Sequence, residues 1–212
     1  MPELKVAIVP VTPFEQNCSI VWDKDTMKGA VVDPGGDLAR IQGALKDLKV
    51  TAEKILITHG HIDHAGGAAE LAEILGIPVE GPHQADETLL SNLPAQAARF
   101  GMAGVRTLTP DRWLVEGDTV SVGGLVFDVL HVPGHAPGHV VFVHAPSEFA
   151  LVGDTVFQGS VGRTDIPGGN HELLVQGIKE KILPLGDDFT VLPGHGAATT
   201  LGRERQTNPF LT

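Results

Sequence analysis

The most informative stretch of the chain is His59-Gly60-His61-Ile62-Asp63-His64, which places three imidazoles and one carboxylate within six residues. It follows residues 54–58, a short apolar run that predicts a buried strand. Imidazole nitrogen and carboxylate oxygen are donors that zinc, iron and manganese accept. Gly60 lets the backbone turn tightly between two such donors. The stretch therefore predicts a metal site on a polar loop at a strand end.

Three further donors each follow a short β-type run and stand beside glycine. His135 closes a PGH sequence, Asp154 follows Gly153, and His195 lies within a PGHG sequence. Taken singly, a histidine at a strand end is about as often a hydrogen-bonded structural residue as a ligand. Layered α/β proteins collect their ligands at strand ends, however, so we expect these side chains to join the first cluster.

The combined set of seven donors is too large for one tetrahedral zinc ion. It suits two metal ions about 3.5–4 Å apart that share a carboxylate and leave coordination positions open for water. Zinc lowers the pKa of bound water to about 7, so hydroxide would be present at neutral pH. The donor set predicts hydrolytic chemistry that needs no serine, cysteine or lysine nucleophile.

Strand and helix signals alternate in both halves of the chain, which favours an α/β or mixed layered fold. Short β-type runs occur at residues 4–11, 18–22, 29–32, 54–58, 119–122, 125–130, 140–143, 149–152 and 189–192. Helical patterns cover residues 38–48 behind Asp37 as N-cap, 68–75, 86–99 with a break near Pro94, 171–183 and 199–206. The sequence has no repeat or linker, so a single domain over residues 1–212 is expected.

Composition restricts the function classes. The 212 residues are 42% hydrophobic and 19% charged, which is typical of a globular protein and not of a disordered one. The net charge of −11 argues against a nucleic-acid partner, which would need a basic face. No apolar run is long enough to span a membrane and no export signal is recognised, so a cytoplasmic protein is expected. A single cysteine, Cys18, excludes an internal disulfide.

The order of the motifs, H-x-H-x-D-H, PGH, GD and PGHG, resembles the metallo-β-lactamase-fold superfamily over essentially the whole chain. Within it, the chain is similar to short single-domain glyoxalase II (hydroxyacylglutathione hydrolase) proteins. Further matching text is TPFEQNC from Thr12, GRTD from Gly162 and NPF from Asn208. The resemblance implies an αββα sandwich with the metal ions at one edge.

The resemblance also implies roles for the donors. His59, His61 and His135 would hold one divalent ion, Asp63, His64 and His195 would hold the second, and Asp154 would bridge them. The ions are expected to be zinc, with iron or manganese as alternatives. A hydroxide bridging them would attack the carbonyl of a small-molecule thioester such as S-lactoylglutathione, with Asp63 orienting it.

Other residues take their expectations from the same resemblance. Arg163 stands where the family carries a basic residue for a glutathione carboxylate, although an arginine could equally pair with Asp165 in a turn. His139, in a second PGH, is expected to support the neighbouring donors or the fold and not to bind metal. The helical domain that follows in full-length glyoxalase II is not expected here, since 17 residues follow His195.

Three alternatives remain at this stage. A persulfide dioxygenase of similar sequence would use one Fe(II) held by two histidines and one aspartate, which correspond to His59, His135 and Asp154. A lactonase or β-lactamase would use the same metal pair on another ester or amide. A non-enzymatic zinc module is disfavoured, because a structural zinc site would be closed by four ligands.

Overall fold

The computed structural model describes residues 2–212, and the first half of the chain builds a five-stranded sheet with the order β1-β2-β3-β4-β5. Its strands are β1 (Leu4–Val11), β2 (Gln16–Asp23), β3 (Lys28–Val32), β4 (Thr51–Leu56) and β5 (Val79–Glu80). The first three strands pair antiparallel, while β3, β4 and β5 run parallel. Consequently β3 and β4 end at the same edge of this sheet.

The second half builds a six-stranded sheet with the order β13-β12-β9-β8-β7-β6, together with a small two-stranded hairpin. Its strands are β6 (Thr119–Val122), β7 (Leu125–His131), β8 (Val140–His144), β9 (Phe149–Gly153), β12 (Thr190–Pro193) and β13 (Thr199–Thr200). The hairpin pairs β10 (Val156–Phe157) with β11 (Ser160–Val161). Because β9 and β12 are parallel neighbours, they also end together.

The α-helices fall into two groups along the chain. The first group is α1 (Leu38–Leu48), α2 (Ile62–Ala65), α3 (Ala68–Leu75), α4 (Glu87–Ser91) and α5 (Leu93–Arg99). The second is α6 (His171–Gly177) and α7 (Leu201–Thr207). Shorter pieces are 3₁₀ turns at Gln84–Asp86, Ala145–Ser147 and Leu183–Leu185 and a π-turn at Ile178–Ile182.

Three apolar clusters define four layers. One cluster joins α1 and α3–α5 to an outer face of the first sheet, through residues such as Ile41, Leu71 and Ile20. A second lies between the two sheets and contains Phe127 and Phe142. A third joins the second sheet to α6 and α7. The order helix, sheet, sheet, helix confirms the expected αββα sandwich.

Strands and helices lie close to their predicted places, with local differences that have physical causes. The donor-rich stretch is not all loop, because the carbonyl of His61 accepts from the amides of His64 and Ala65 and starts the single turn α2. The predicted helix break falls at Asn92; Pro94 lies in the first turn of α5, where a missing N–H costs no hydrogen bond. The helix from His171 is α-helical only to Gly177 and then widens into the π-turn.

No helix within residues 2–212 combines the length and the apolar character that crossing a membrane requires.

Cys18 lies in β2 with its side chain fully buried in the cluster beneath α1 and α3. Burial raises the pKa of its thiol well above the ordinary value. The thiol therefore packs as a small apolar group.

Candidate metal centre

All seven predicted donors come together where strands of both sheets end. His59 follows β4, Asp154 follows β9, and His195 follows β12. His135 lies in the loop between β7 and β8, His61 directly precedes α2, and Asp63 and His64 lie within α2. Parallel neighbours deliver their carboxyl ends to one edge, which explains how residues distant in sequence meet.

The donors form three overlapping groups in which all ligand atoms lie within 4.8 Å of one another. The groups are His59–His61–His135, His59–His64–Asp154 and Asp63–His64–His195. Within the first group, His61 Nδ1 lies 3.0 Å from His135 Nε2, and within the third, His195 Nε2 lies 3.0 Å from an oxygen of Asp63; His59 and His64 each belong to two groups. The arrangement is compact enough for metal ions to be shared among the groups.

Asp154 occupies the middle of the cluster. One carboxylate oxygen is 3.4 Å from His64 Nε2, and the other is 3.5 Å from His135 Nε2 and 3.7 Å from His195 Nε2. Burial alone would raise the pKa of this carboxyl, but the neighbouring histidines, His64 first, lower it overall. Asp154 is therefore an ionised carboxylate that faces donors from both sides.

Four of the histidines have one ring nitrogen engaged by a protein oxygen. Nδ1 of His59 lies 3.0 Å from Thr58 Oγ1, and Nδ1 of His64 lies 2.9 Å from Asp33 Oδ2. Nδ1 of His135 lies 2.8 Å from the carbonyl of Arg163, and Nδ1 of His195 lies 3.2 Å from the carbonyl of Phe14. In a neutral imidazole a hydrogen on Nδ1 leaves Nε2 unprotonated, which is the tautomer a metal ion requires. Burial alone would lower the pKa of His64 and His195, but the carboxylates around them raise the pKa of both rings overall, so metal binding there would displace a proton.

The engaged nitrogens leave buried atoms without partners at the centre. His59 Nε2, His64 Nε2 and Asp154 Oδ1 have no hydrogen-bond partner within residues 2–212. Buried polar atoms are nearly always paired, so three such atoms in one cluster need an explanation. Burial also lowers the pKa of His59 well below its ordinary value and that of His61 to about 3, which keeps both rings neutral. Neutral imidazoles beside a carboxylate fit a divalent cation, so the residues at this site suit the metal ions predicted from the sequence.

Asp33 supports this cluster and is not among the residues that the sequence predicted for the site. Its carboxylate accepts from the amide and hydroxyl of Thr58, both at 2.7 Å, as well as engaging His64. Asp33 directly follows β3, the parallel neighbour of β4. Applying the strand-end rule to β3 as well as β4 would have found it.

The two remaining predicted site residues lie beside the cluster. His139 accepts from the amide of Asp154 at 3.0 Å through Nε2 and stacks on His59, with ring centroids 4.8 Å apart. The guanidinium of Arg163 makes two 2.9 Å bonds to Asp165, and its side chain is 65% exposed. Arg163 thus touches the cluster through its carbonyl, while its charge is paired with the aspartate two residues on.

Comparisons with known proteins agree with this geometry. The hydroxyacylglutathione hydrolase GloC of Haemophilus influenzae is 43% identical over 209 residues, which cover 98% of each chain. The BLEG-1 B3 metallo-beta-lactamase structure has a TM-score of 0.90 at 35% identity and covers 98% of this chain and 100% of its own. TTHA1623 in a di-iron-bound form has a TM-score of 0.88 at 36% identity, with 97% and 100% covered. Residues 11–195 match the family model itself, and the chain belongs to the metallo-beta-lactamase superfamily.

Proposed function

We propose that this metallohydrolase cleaves the thioester of a small molecule such as S-lactoylglutathione. The observation that carries the proposal is the cluster of seven donors with unpartnered buried atoms at its centre. The 43% identity to a hydroxyacylglutathione hydrolase supports the thioester as substrate. Water adds across the carbon–sulfur bond, so the products are a carboxylic acid and a thiol.

Two divalent ions, which we take to be zinc, would divide the cluster between them. His59, His61 and His135 would hold one, and Asp63, His64 and His195 the other, with Asp154 between. When bound, the ions supply a hydroxide at neutral pH and polarise the substrate carbonyl. Imidazole and carboxylate donors also suit iron and manganese, so the metal identity belongs to the proposal.

The chain's own carboxylates have separate tasks in the reaction. Asp154 is buried and ionised, so it balances the positive charge at the centre. Asp63 is partly exposed, and within residues 2–212 hydrogen bonds engage its Oδ2 and leave its Oδ1 unused. That oxygen would accept a hydrogen bond from the attacking water and so orient it.

The test is thiol release from S-lactoylglutathione under anaerobic conditions by protein of measured metal content. Wild type is expected to release thiol only when loaded, while His59→Ala and Asp154→Ala lose both metal and turnover. His144→Ala is the matched control, because His144 is a buried histidine at the far end of β8. It should keep both.

Three outcomes would overturn the proposal. Full activity in either donor variant would refute the site assignment. A fully loaded wild type that releases no thiol but consumes oxygen with a persulfide would be a dioxygenase. A metal-loaded wild type that hydrolyses a lactone or a β-lactam instead would support metal-dependent hydrolysis but refute the thioester as substrate.

A further inference from the structure

Asp86 is a fully buried carboxylate that joins two of the loops that carry donors, and the proposed reaction does not use it. It ends the 3₁₀ turn Gln84–Asp86 just before α4. One oxygen accepts from the amide of Gly60 at 2.8 Å, and the other accepts from the amide of Gly138 at 2.5 Å. A single side chain therefore holds two segments that are far apart in sequence.

The two glycines stand next to the donors. Gly60 separates His59 from His61, and Gly138 lies three residues after His135. His61 and His135 come from these two loops, yet their facing nitrogens are 3.0 Å apart. Their ability to share one ion depends on the placement of one loop against the other, which Asp86 spans.

At Gly60 and Gly138 both loops approach residues 83–89 too closely for a side chain to fit. A Cβ at Gly60 would come within 2.7 Å of Leu89 Cβ. A Cβ at Gly138 would come within 2.5 Å of the carbonyl of His83 and 2.6 Å of the amide of Asp86. The glycines thus let both amides reach one carboxylate.

Neighbouring residues complete the hold on each loop. Gln96 in α5 donates to the carbonyl of Gly60 at 3.1 Å and accepts from the amide of Ile62 at 3.0 Å. The amide of His83 donates to the carbonyl of Gly138 at 3.0 Å. These contacts each serve one loop, whereas the Asp86 carboxylate serves both.

Burying a carboxylate to accept hydrogen bonds from two backbone amides carries a high desolvation cost. No lysine or arginine pairs with Asp86 in the described part of the chain, and burial raises the pKa of Asp86 to about 6. Its two equivalent acceptor oxygens offer what a neutral amide cannot, because an asparagine has one acceptor and one donor group.

We propose that Asp86 is a positioning residue that fixes the His59–His61 loop against the His135 loop so that the three histidines can hold one ion. The inference rests on the metal-dependent function proposed above. It predicts a selective effect, since the group Asp63–His64–His195 includes no residue of the Gly138 loop.

The test compares stepwise Zn²⁺ and Co²⁺ affinities, measured by competition with a chelating dye, in wild type and D86N. The asparagine amide would face one of the two backbone amides donor to donor, so that loop should shift. We expect the ion held by His59, His61 and His135 to bind about 10–100-fold more weakly, as is usual when support of a ligand is lost, while the other ion changes less. The absorption spectrum of bound Co²⁺ should change only for the ion held by His59, His61 and His135.

Asp23 provides the matched control. It is a buried aspartate that also accepts backbone amides, from Gly124 and Asp25 at 3.0 Å. It lies at the end of β2 opposite to Gln16, whose side-chain nitrogen is 3.5 Å from His64 Nδ1. D23N should lower the thermal midpoint without changing either metal affinity.

The outcomes separate this inference from the proposed function. A wild type that binds no metal would refute the function. A wild type that binds two ions, with unchanged affinities in D86N, would refute the role of Asp86. Equal weakening of both ions, in proportion to lost stability, would also refute it by showing a merely structural role. If D86N does not fold, D86A leaves room for water at both amides and decides the same question.

Discussion

At the scale of single residues, Asp33 shows how much of the centre depends on residues that bind no metal in the proposal. Its two oxygens engage Thr58 and His64, and Thr58 in turn engages His59. A chain of this kind fixes both the tautomer and the direction of each imidazole. The donors thus reach the centre already oriented.

Arg163 gives a prediction at the same scale. Its guanidinium is already held by Asp165, so a substrate carboxylate would have to displace that partner. Arg163→Ala should raise KM for a glutathione thioester by about tenfold and change kcat less, as expected when an exposed, charge-assisted contact is lost. Steady-state kinetics measures both constants.

Asp165→Asn is the companion variant for that experiment. It removes the competing carboxylate and should lower KM several-fold, because Arg163 is then released for substrate. An unchanged KM in Arg163→Ala would remove this arginine from the substrate site.

At the scale of elements, the periodicity of apolar residues predicted the first residues of helices better than their later course, such as a change from α-helix to π-turn. The helix at Ala68–Leu75 has its predicted bounds, since Gly76 follows in the left-handed conformation that ends a helix. The turn α2 was missed because its hydrogen bonds start from the carbonyl of His61, and histidine is not a residue type that signals the start of a helix. The π-turn after Gly177 has no pattern in the sequence that apolar spacing could reveal.

Two helical glycines give a prediction about element stability. Gly43 lies inside α1 with open space where a Cβ would stand, so Gly43→Ala should stabilise the protein by about 0.5–1 kcal/mol. Gly177 in α6 is the control, because its Cβ would meet Val132 Cγ1 at 3.0 Å and should cancel the gain. Urea unfolding of both variants checks this, and a stabilised Gly177→Ala or a neutral Gly43→Ala would contradict it.

At the scale of the whole molecule, the chain's motifs indicated the fold more firmly than its secondary-structure patterns did. Alternating strands and helices favoured a layered fold, but the division into two sheets came from the family resemblance. The seven donors were identified by residue type and spacing. Asp33, which directly follows a predicted strand, was within reach of the same reasoning, whereas Asp86 was not, because its pairing with residues 60 and 138 is a contact between distant segments.

The span of the donor set predicts how metal affects global stability. The donors extend from His59 to His195 and connect the ends of both sheets, so bound ions cross-link the folded state alone. An ion at 1,000 times its dissociation constant adds about 4 kcal/mol, which corresponds to roughly 10 °C for a chain of this length. Chelation should lower the thermal midpoint by that order, and added Zn²⁺ should restore it.

His59→Ala is the control for this measurement. Its midpoint should respond weakly to chelator, since His59 belongs to two of the three donor groups. A wild type whose thermal midpoint does not change on chelation would show that bound ions do not stabilise the folded state.

The buried thiol of Cys18 bears on the thioester hydrolysis proposed above. An accessible thiolate can accept an acyl group from a thioester by exchange, which would leave the enzyme acylated on its own side chain. Cys18 is the single cysteine of the chain, its side chain is fully buried, and burial keeps the thiol protonated. In the folded molecule the Cys18 thiol is therefore shielded from both the proposed substrate and the thiol product, and it adds no background when released thiols are counted.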